Sequence, residues 1–289
     1  MSRMFLHFLL VLVLWLPTLA GSQTPSDWHH GQIESRVLSA PLEYRVFLPA
    51  DYELEPNERY PVVFWLHGLG GSPASATAVV DALRDAISDG RVPSLILVSC
   101  SDVTTRSMWT DTKDGSLPIE TAIVRELVPH IDATYRTRAS RQFRAIEGFS
   151  MGGYGAAYLG FKYPELFGSV SILSGALHTG ESLKTNRREI FDAVHGGDIA
   201  YAEKHSPWSV VRDNADRIRG KTDVRIHVGA DDGLLERNER YHLLLDELGI
   251  DHAWSVVPDA PHDLAILLQN WDGDPLAFYA DAFSAVPTR

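Results

Sequence analysis

Two kinds of apolar spacing take turns along the chain. Val62–His67 (VVFWLH), Ser94–Ser99 (SLILVS), Ser169–Ser174 (SVSILS) and Val224–Gly229 (VRIHVG) are nearly unbroken apolar runs, the pattern of parallel strands buried on both faces. Between such runs lie stretches with helical spacing: ASATAVVDALRDAIS, IETAIVRELVPHIDATY, GGYGAAYLGFKYP and ERNERYHLLLDELG. In the last of these, Tyr241, Leu244, Leu245 and Leu248 share one face, and Gly249 marks the stop. Tyr44–Pro49 (YRVFLP) alternates instead, as an antiparallel edge strand does, and FRAIEG and AWSVVP complete the set of strands.

Strand and helix in this alternation predict an α/β fold: a doubly wound, mostly parallel sheet with right-handed crossovers. Ligands bind such sheets outside the carboxyl ends of the strands. With no internal repeat or low-complexity linker, one domain is expected over residues 21–289. His178–Thr222 breaks the rhythm, separating two strands by about 45 residues, long for a plain connection. It contains REIFDAVHG and SPWSVVRDNADRI, both helical in pattern, and is expected to form a small lid over the pocket or a surface elaboration.

The first twenty residues follow a different logic. Arg3 precedes the apolar run Met4–Leu16, and Pro17 and the small residues of TLAGS follow it. This is the pattern of a cleavable secretory signal with cleavage after Ala20. The run is short of the roughly 20 apolar residues that span a bilayer, so a secreted or periplasmic protein without a stable membrane span is expected. His29 and His30 then fall in a solvated N-terminal segment. The lone Cys100 permits no intramolecular disulfide and reads as a small buried hydrophobe. No zinc-binding pattern is present. Against 26 basic residues stand 38 acidic ones, a formal charge of −12, which repels phosphate backbones and argues against nucleic acid as a partner.

Candidate chemistry centres on EGFSMGGYGA, Glu147–Ala156. GFSMG fits G-x-S-x-G, a weak match alone, but FRAIEG before it reads as a buried strand and MGGYGAAYLGF after it as a helix. That is the setting in which a strained strand-to-helix turn exposes a serine hydroxyl, which makes Ser150 the candidate nucleophile. A serine needs a base oriented by a carboxylate, and in this architecture acid and histidine follow the serine in that order. Of twelve histidines, His262 in PDAPHDLAI follows the last strand and opens the final helix, whereas His227 sits mid-strand and His242 on a helix. The acid should follow the preceding strand, where VRIHVGADDGLLE offers Asp231 and Asp232; spacing does not choose between them. Donors for a developing oxyanion are expected from the Met151 N–H and, in the HGLGG loop, the Leu69 N–H. No G-K-[ST] follows that loop, which argues against a phosphate cradle.

Together these residues resemble the esterase family that includes S-formylglutathione hydrolase, feruloyl and acetyl xylan esterases, tributyrin-type esterases and the mycobacterial mycolyltransferases. FWLHGLGG, SMWTD, RELVPHIDATYRT, RAIEGFSMGGYGAAYLGFKYPELFGSVSILSGAL, GADDGLLERN and PHD look like that family's segments in its order, from about Tyr44 to Trp271. The resemblance implies an α/β-hydrolase fold and a serine carboxylic-ester hydrolase, with Ser150 as nucleophile, His262 as base, and Met151 and Leu69 as oxyanion donors. It also implies Asp232 as the acid, three residues after Gly229, with Asp231 as fallback. Two departures stand out: Pro261 where the family has a small residue, and Leu264 where it often has an aromatic. Trp109 and Trp208 are candidates for the pocket lining, with core burial the alternative. The chemistry needs no metal or organic cofactor, and the expected substrate is a small-molecule or polysaccharide-linked ester of an acetyl, butyryl or feruloyl-type acid. Acyl transfer through the same triad, thioester hydrolysis and a non-catalytic binding module are the alternatives.

Overall fold

The computed structural model describes residues 28–283; the expected signal segment, residues 1–20, lies outside them. The burial of Val62–Leu66 shows how the molecule is layered. Every residue of this strand is buried, with Val62, Phe64 and Leu66 in one apolar core and Val63 and Trp65 in another on the opposite side. Side chains alternate across a strand, so an unbroken apolar run is what a sheet covered on both faces requires.

Eight strands, β1 (Trp28–Ile33), β2 (Leu42–Phe47), β3 (Val62–Leu66), β4 (Ile96–Cys100), β5 (Arg144–Phe149), β6 (Ser169–Leu173), β7 (Asp223–Gly229) and β8 (Ala253–Val257), form one sheet in the order β1-β2-β4-β3-β5-β6-β7-β8. The pairs β1–β2 and β2–β4 are antiparallel, and all others are parallel. The helices are α1 (Thr77–Ser88), α2 (Ile119–Ala122), α3 (Val128–Thr134), α4 (Met151–Lys162), α5 (Gly180–Asn186), α6 (Arg188–His195), α7 (Ile199–Lys204), α8 (Pro207–Ile218), α9 (Leu235–Glu247), α10 (Leu264–Gln269) and α11 (Ala277–Phe283). The larger core takes side chains from α2, α3, α4, α8 and α9; the smaller one takes them from α1 and α11. A wide π turn, Ile123–Leu127, joins α2 to α3; Pro129 follows it and lacks the N–H that a regular helix would use there.

Three expectations are refined. Tyr44–Pro49 contributes to an antiparallel strand, but not to an edge one: β1 pairs along its outer side through all six residues from Trp28 to Ile33. WHHGQI has too little apolar alternation to signal a strand, and backbone pairing supplies what side chains do not. His29 and His30 are exposed, but as part of β1 rather than of a loose segment. The stretch 178–222 carries four helices, α5 to α8. Of these α8 packs on α4 as an ordinary crossover layer, and only the α5–α6 region reaches the cavity described below. Among the described residues no helix is long and apolar enough to cross a membrane.

Candidate active site

Ser150 sits between the end of β5 and the start of α4 with φ 60° and ψ −116°, a conformation that costs a non-glycine residue of order 1–3 kcal/mol. Tight packing holds it there. A Cβ on Gly152 would lie 1.8 Å from the Leu66 carbonyl oxygen, and one on Gly148 would lie 2.2 Å from the backbone of Gly152, so both flanking positions exclude any side chain. The Ser150 N–H donates to Leu173 O at 3.0 Å, and the Ser150 carbonyl accepts from Ala176 N at 2.8 Å and Tyr154 N at 3.1 Å. The turn is thereby tied to the end of β6 and the loop after it.

Two other strand ends bring the partners. At the end of β7, a Cβ on Gly229 would strike Ala260 O at 1.9 Å, so this glycine lets the loop bearing His262 close over the strand. His262 Nδ1 lies 2.7 Å from Asp232 Oδ2, and Nε2 lies 2.9 Å from Ser150 Oγ. An ionised carboxylate can only accept, so Nδ1 carries the proton and donates to Asp232; Nε2 then presents its lone pair and accepts from the serine hydroxyl. The Asp232 side chain is fully buried and that of His262 is 39% exposed, which puts the fixed charge inside and the moving proton at the cavity. Burial opposes ionisation of Asp232, but hydrogen bonds from His262 and from the Leu234 N–H (2.8 Å) outweigh it and hold the carboxyl below its ordinary range. Asp231 is exposed and its N–H is spent on Ala260 O at 3.2 Å. Of the pair left open by spacing, the structure brings Asp232, and not Asp231, to the His262 ring. Phe149 stacks on the His262 ring at 4.7 Å between centroids, a contact that sequence reasoning missed.

These groups open onto a cavity of about 320 Å³, which Leu69 and Met151 also line. Met151 opens α4, where the first N–H groups have no intrahelical partner and the helix dipole is positive. The loop bearing Leu69 is braced from below. Gly70 N–H donates to Thr105 O at 2.9 Å, and buried Asp102 accepts from Ser107 N (2.9 Å) and Ser107 Oγ (2.8 Å) beside buried His67. Met108, in the left-handed region with φ 55°, reaches the cavity from this loop.

Trp109 and Trp208, both candidates for the lining, do not line the cavity. Trp109 is fully buried, its Nε1–H donating to His67 O at 3.3 Å. Its indole fills the space that Gly155 leaves open, where a Cβ would come within 2.4 Å. Trp208 donates from Nε1 to Leu177 O at 3.0 Å and meets Tyr241 edge-on at 5.0 Å. Each indole belongs to the larger core instead. The wall itself comes from Met108, Ala176, His178, Arg187, Ile190 and Leu234, residues from separate segments that share no motif. Pro261 is exposed at the base of the His262 loop, and its carbonyl accepts from Asp263 N at 2.7 Å. Asp263 in turn caps α10 through Ile266 N.

A hydroxyl on a bare imidazole nitrogen, backed by a buried carboxylate and open to a cavity, can be deprotonated as it attacks a carbonyl carbon. Comparison with known proteins leads in the same direction. Over 192 residues the chain is 30% identical to an endo-1,4-beta-xylanase/feruloyl esterase of Xylanibacter ruminicola, covering 60% of this chain and 25% of that protein. Over 178 residues it is 33% identical to the esterase Rv1288 of Mycobacterium tuberculosis, covering 62% and 37%. The chain therefore spans well under half the length of either relative. A solved ferulic acid esterase superposes with a TM-score of 0.74 at 25% identity, over 89% of this chain and 98% of that one. An S-formylglutathione hydrolase from Agrobacterium tumefaciens, at 19% identity, shares the fold with a TM-score of 0.71 over 89% and 95%. The model of the family described as "Putative esterase" matches residues 35–248, a stretch that carries the β5–α4 turn and both aspartates, and by that match the chain belongs to this esterase family, on an α/β-hydrolase fold.

Proposed function

We propose that this protein hydrolyses carboxylic esters through an acyl-enzyme, with Ser150 as nucleophile, His262 as general base and acid, and Asp232 as the residue that orients the imidazole. The observation that carries the reading is the unbroken relay from Ser150 Oγ through His262 to Asp232, at 2.9 and 2.7 Å. Ser150 Oγ attacks the acyl carbon while His262 Nε2 takes its proton. The tetrahedral oxyanion is met by the N–H groups of Met151 and Leu69, and His262 returns the proton to the leaving alcohol. Water then attacks the acyl-serine by the same route in reverse and releases the acid.

The cavity volume suits a short acyl chain or one aromatic acid. The names of two relatives, a feruloyl esterase and a ferulic acid esterase, favour acetyl to feruloyl-type esters of small alcohols or polysaccharides. Residues 178–222 act as a partial lid through α5 and α6. The pattern of residues 1–20 supports export to the periplasm or beyond. A fluorophosphonate probe and p-nitrophenyl acetate test the reading together. Wild type should be labelled at Ser150 and should turn over; S150A should do neither while keeping its fold by circular dichroism. Turnover by S150A near the wild-type rate would end the proposal.

A further inference from the structure

The cavity wall carries a positive charge that, among the described residues, forms no ion pair with a carboxylate. Arg187 lines the cavity, and among the described residues its guanidinium hydrogen-bonds only to its neighbour's carbonyl, Asn186 O, at 3.2 Å. The nearby acids are engaged elsewhere: Asp192 takes Arg188 at 2.7 Å, and Glu189 faces Arg106 at 3.6 Å. Among the described residues, no carboxylate pairs with Arg187 or with Arg237.

Arg237, half-buried on α9, points its guanidinium at His178 Nε2 at 3.2 Å. A guanidinium only donates, so that nitrogen accepts and Nδ1–H donates to Ser182 Oγ at 2.8 Å. His178 is therefore held as a neutral imidazole between the two arginines and offers neither of them a countercharge. Burial and then the positive charge of Arg187, with that of Arg240, weaken the hold of Arg237 on its proton against the opposing charge of Glu236. Asp232 is the one carboxylate lining this cavity, and it is already committed to His262. Arg187 is thus exposed at the cavity with its guanidinium free to take an anion, and the half-buried Arg237 behind it meets only a neutral imidazole.

We propose that the cavity selects esters bearing a second, anionic group, a carboxylate above all, which docks on the planar fork of Arg187 with the field of Arg237 behind it. This rests on the esterase reading above and names the substrate class within it. The anion belongs to the acyl half in a monoester of a dicarboxylic acid, or to the alcohol half in an ester of a hydroxy acid; the same fork would hold either.

Matched pairs test this. p-Nitrophenyl hydrogen glutarate against p-nitrophenyl butyrate places the charge in the acyl half; 4-acetoxybenzoate against its methyl ester places it in the alcohol half. In wild type, at least one anionic ester should exceed its neutral partner in kcat/KM by about tenfold or more, and the excess should shrink as salt is raised. Arg187→Gln and Arg237→Gln should each collapse that ratio toward one, and Arg187→Lys should restore part of it. The pair that shows the preference identifies the half that carries the anion. If neutral esters turn over as well as or better than both anionic ones, or the ratio ignores Arg187→Gln, the proposal falls while the esterase reading stands. If none of the four is hydrolysed, the esterase reading falls first.

Discussion

Asp232 and Asp231 are adjacent in sequence but opposite in environment: Asp232 Oδ2 is buried 2.7 Å from His262 Nδ1, while Asp231 is exposed. Asp232→Asn presents an amide that can turn its N–H toward Nδ1 and force the imidazole into the wrong tautomer. A fall in kcat of about a thousandfold or more is expected. Asp231→Asn should stay within about threefold of wild type. Steady-state kinetics on p-nitrophenyl acetate compares the two, and equal losses would contradict the assignment.

The serine turn makes a steric prediction independent of catalysis. With the Leu66 carbonyl 1.8 Å from where a Cβ would stand on Gly152, Gly152→Ala must push α4 off β3. Overpacking that has no flexible side chain to absorb it should cost about 3 kcal/mol or more, read as a lowered denaturant midpoint. Gly90→Ala gives the comparison, because no atom lies within 4 Å of a Cβ there. Its strain comes only from φ 69°, and it should cost about 1 kcal/mol.

That contrast bears on what the sequence made legible. The turn at Ser150 is a local device whose steric demands fall within five consecutive residues, so a short pattern announces it. Counting strands leads to His262, because the sheet delivers each strand end to one rim. Asp232 and Asp231 could not be separated by spacing, since the direction of a side chain at a strand end depends on the exact backbone turn. β1 was invisible because WHHGQI buries little on either face and is held by pairing with β2. Trp109 and Trp208 show the converse. A large apolar ring is equally at home in a core or a pocket, and only packing against Gly155 or Tyr241 decides. His178, Arg187 and Ile190 gather at the cavity through a 45-residue excursion with no periodic signal.

The support beneath the loop that carries Leu69 is polar and buried, and so is sensitive to removal. Asp102 is fully buried and holds Thr105 N, Ser107 N and Ser107 Oγ, and Thr105 O in turn accepts from Gly70 N. Asp102→Ala leaves those donors without an acceptor and should destabilise the protein by about 3 kcal/mol. Because the loop carries Leu69, kcat should fall more than KM changes. A variant with native stability and native kcat would show that the loop needs no such brace.

Three buried histidines set the acid limit of stability. Burial pushes His178 down to about 3, with the Arg237 and Arg187 charges adding to it. His195 is pushed to about 4, by burial and then His205, and His227 to about 2, by burial and then Arg225. The unfolded chain titrates these groups near 6.5. Between each folded value and about 6.5 the unfolded chain therefore holds a proton that the folded one lacks, and stability falls as pH falls through that window. From pH 6.5 to 5 each histidine removes up to about 2 kcal/mol. Asp232, whose folded pKa is depressed, adds stability that is present above the ordinary carboxylate range and lost only on further acidification, so its loss begins after that of the histidines is under way. His195 is the clean probe: it is fully buried beside Phe191 and Tyr201 and far in sequence from the Ser150 turn, and neither ring nitrogen has a hydrogen-bond partner. His195→Phe keeps the ring and removes the titration. Urea midpoints at pH 7 and pH 5 should then differ by less than in wild type, because one of the histidines held below its ordinary range no longer titrates. An unchanged difference would mean that His195 is not held neutral by its surroundings.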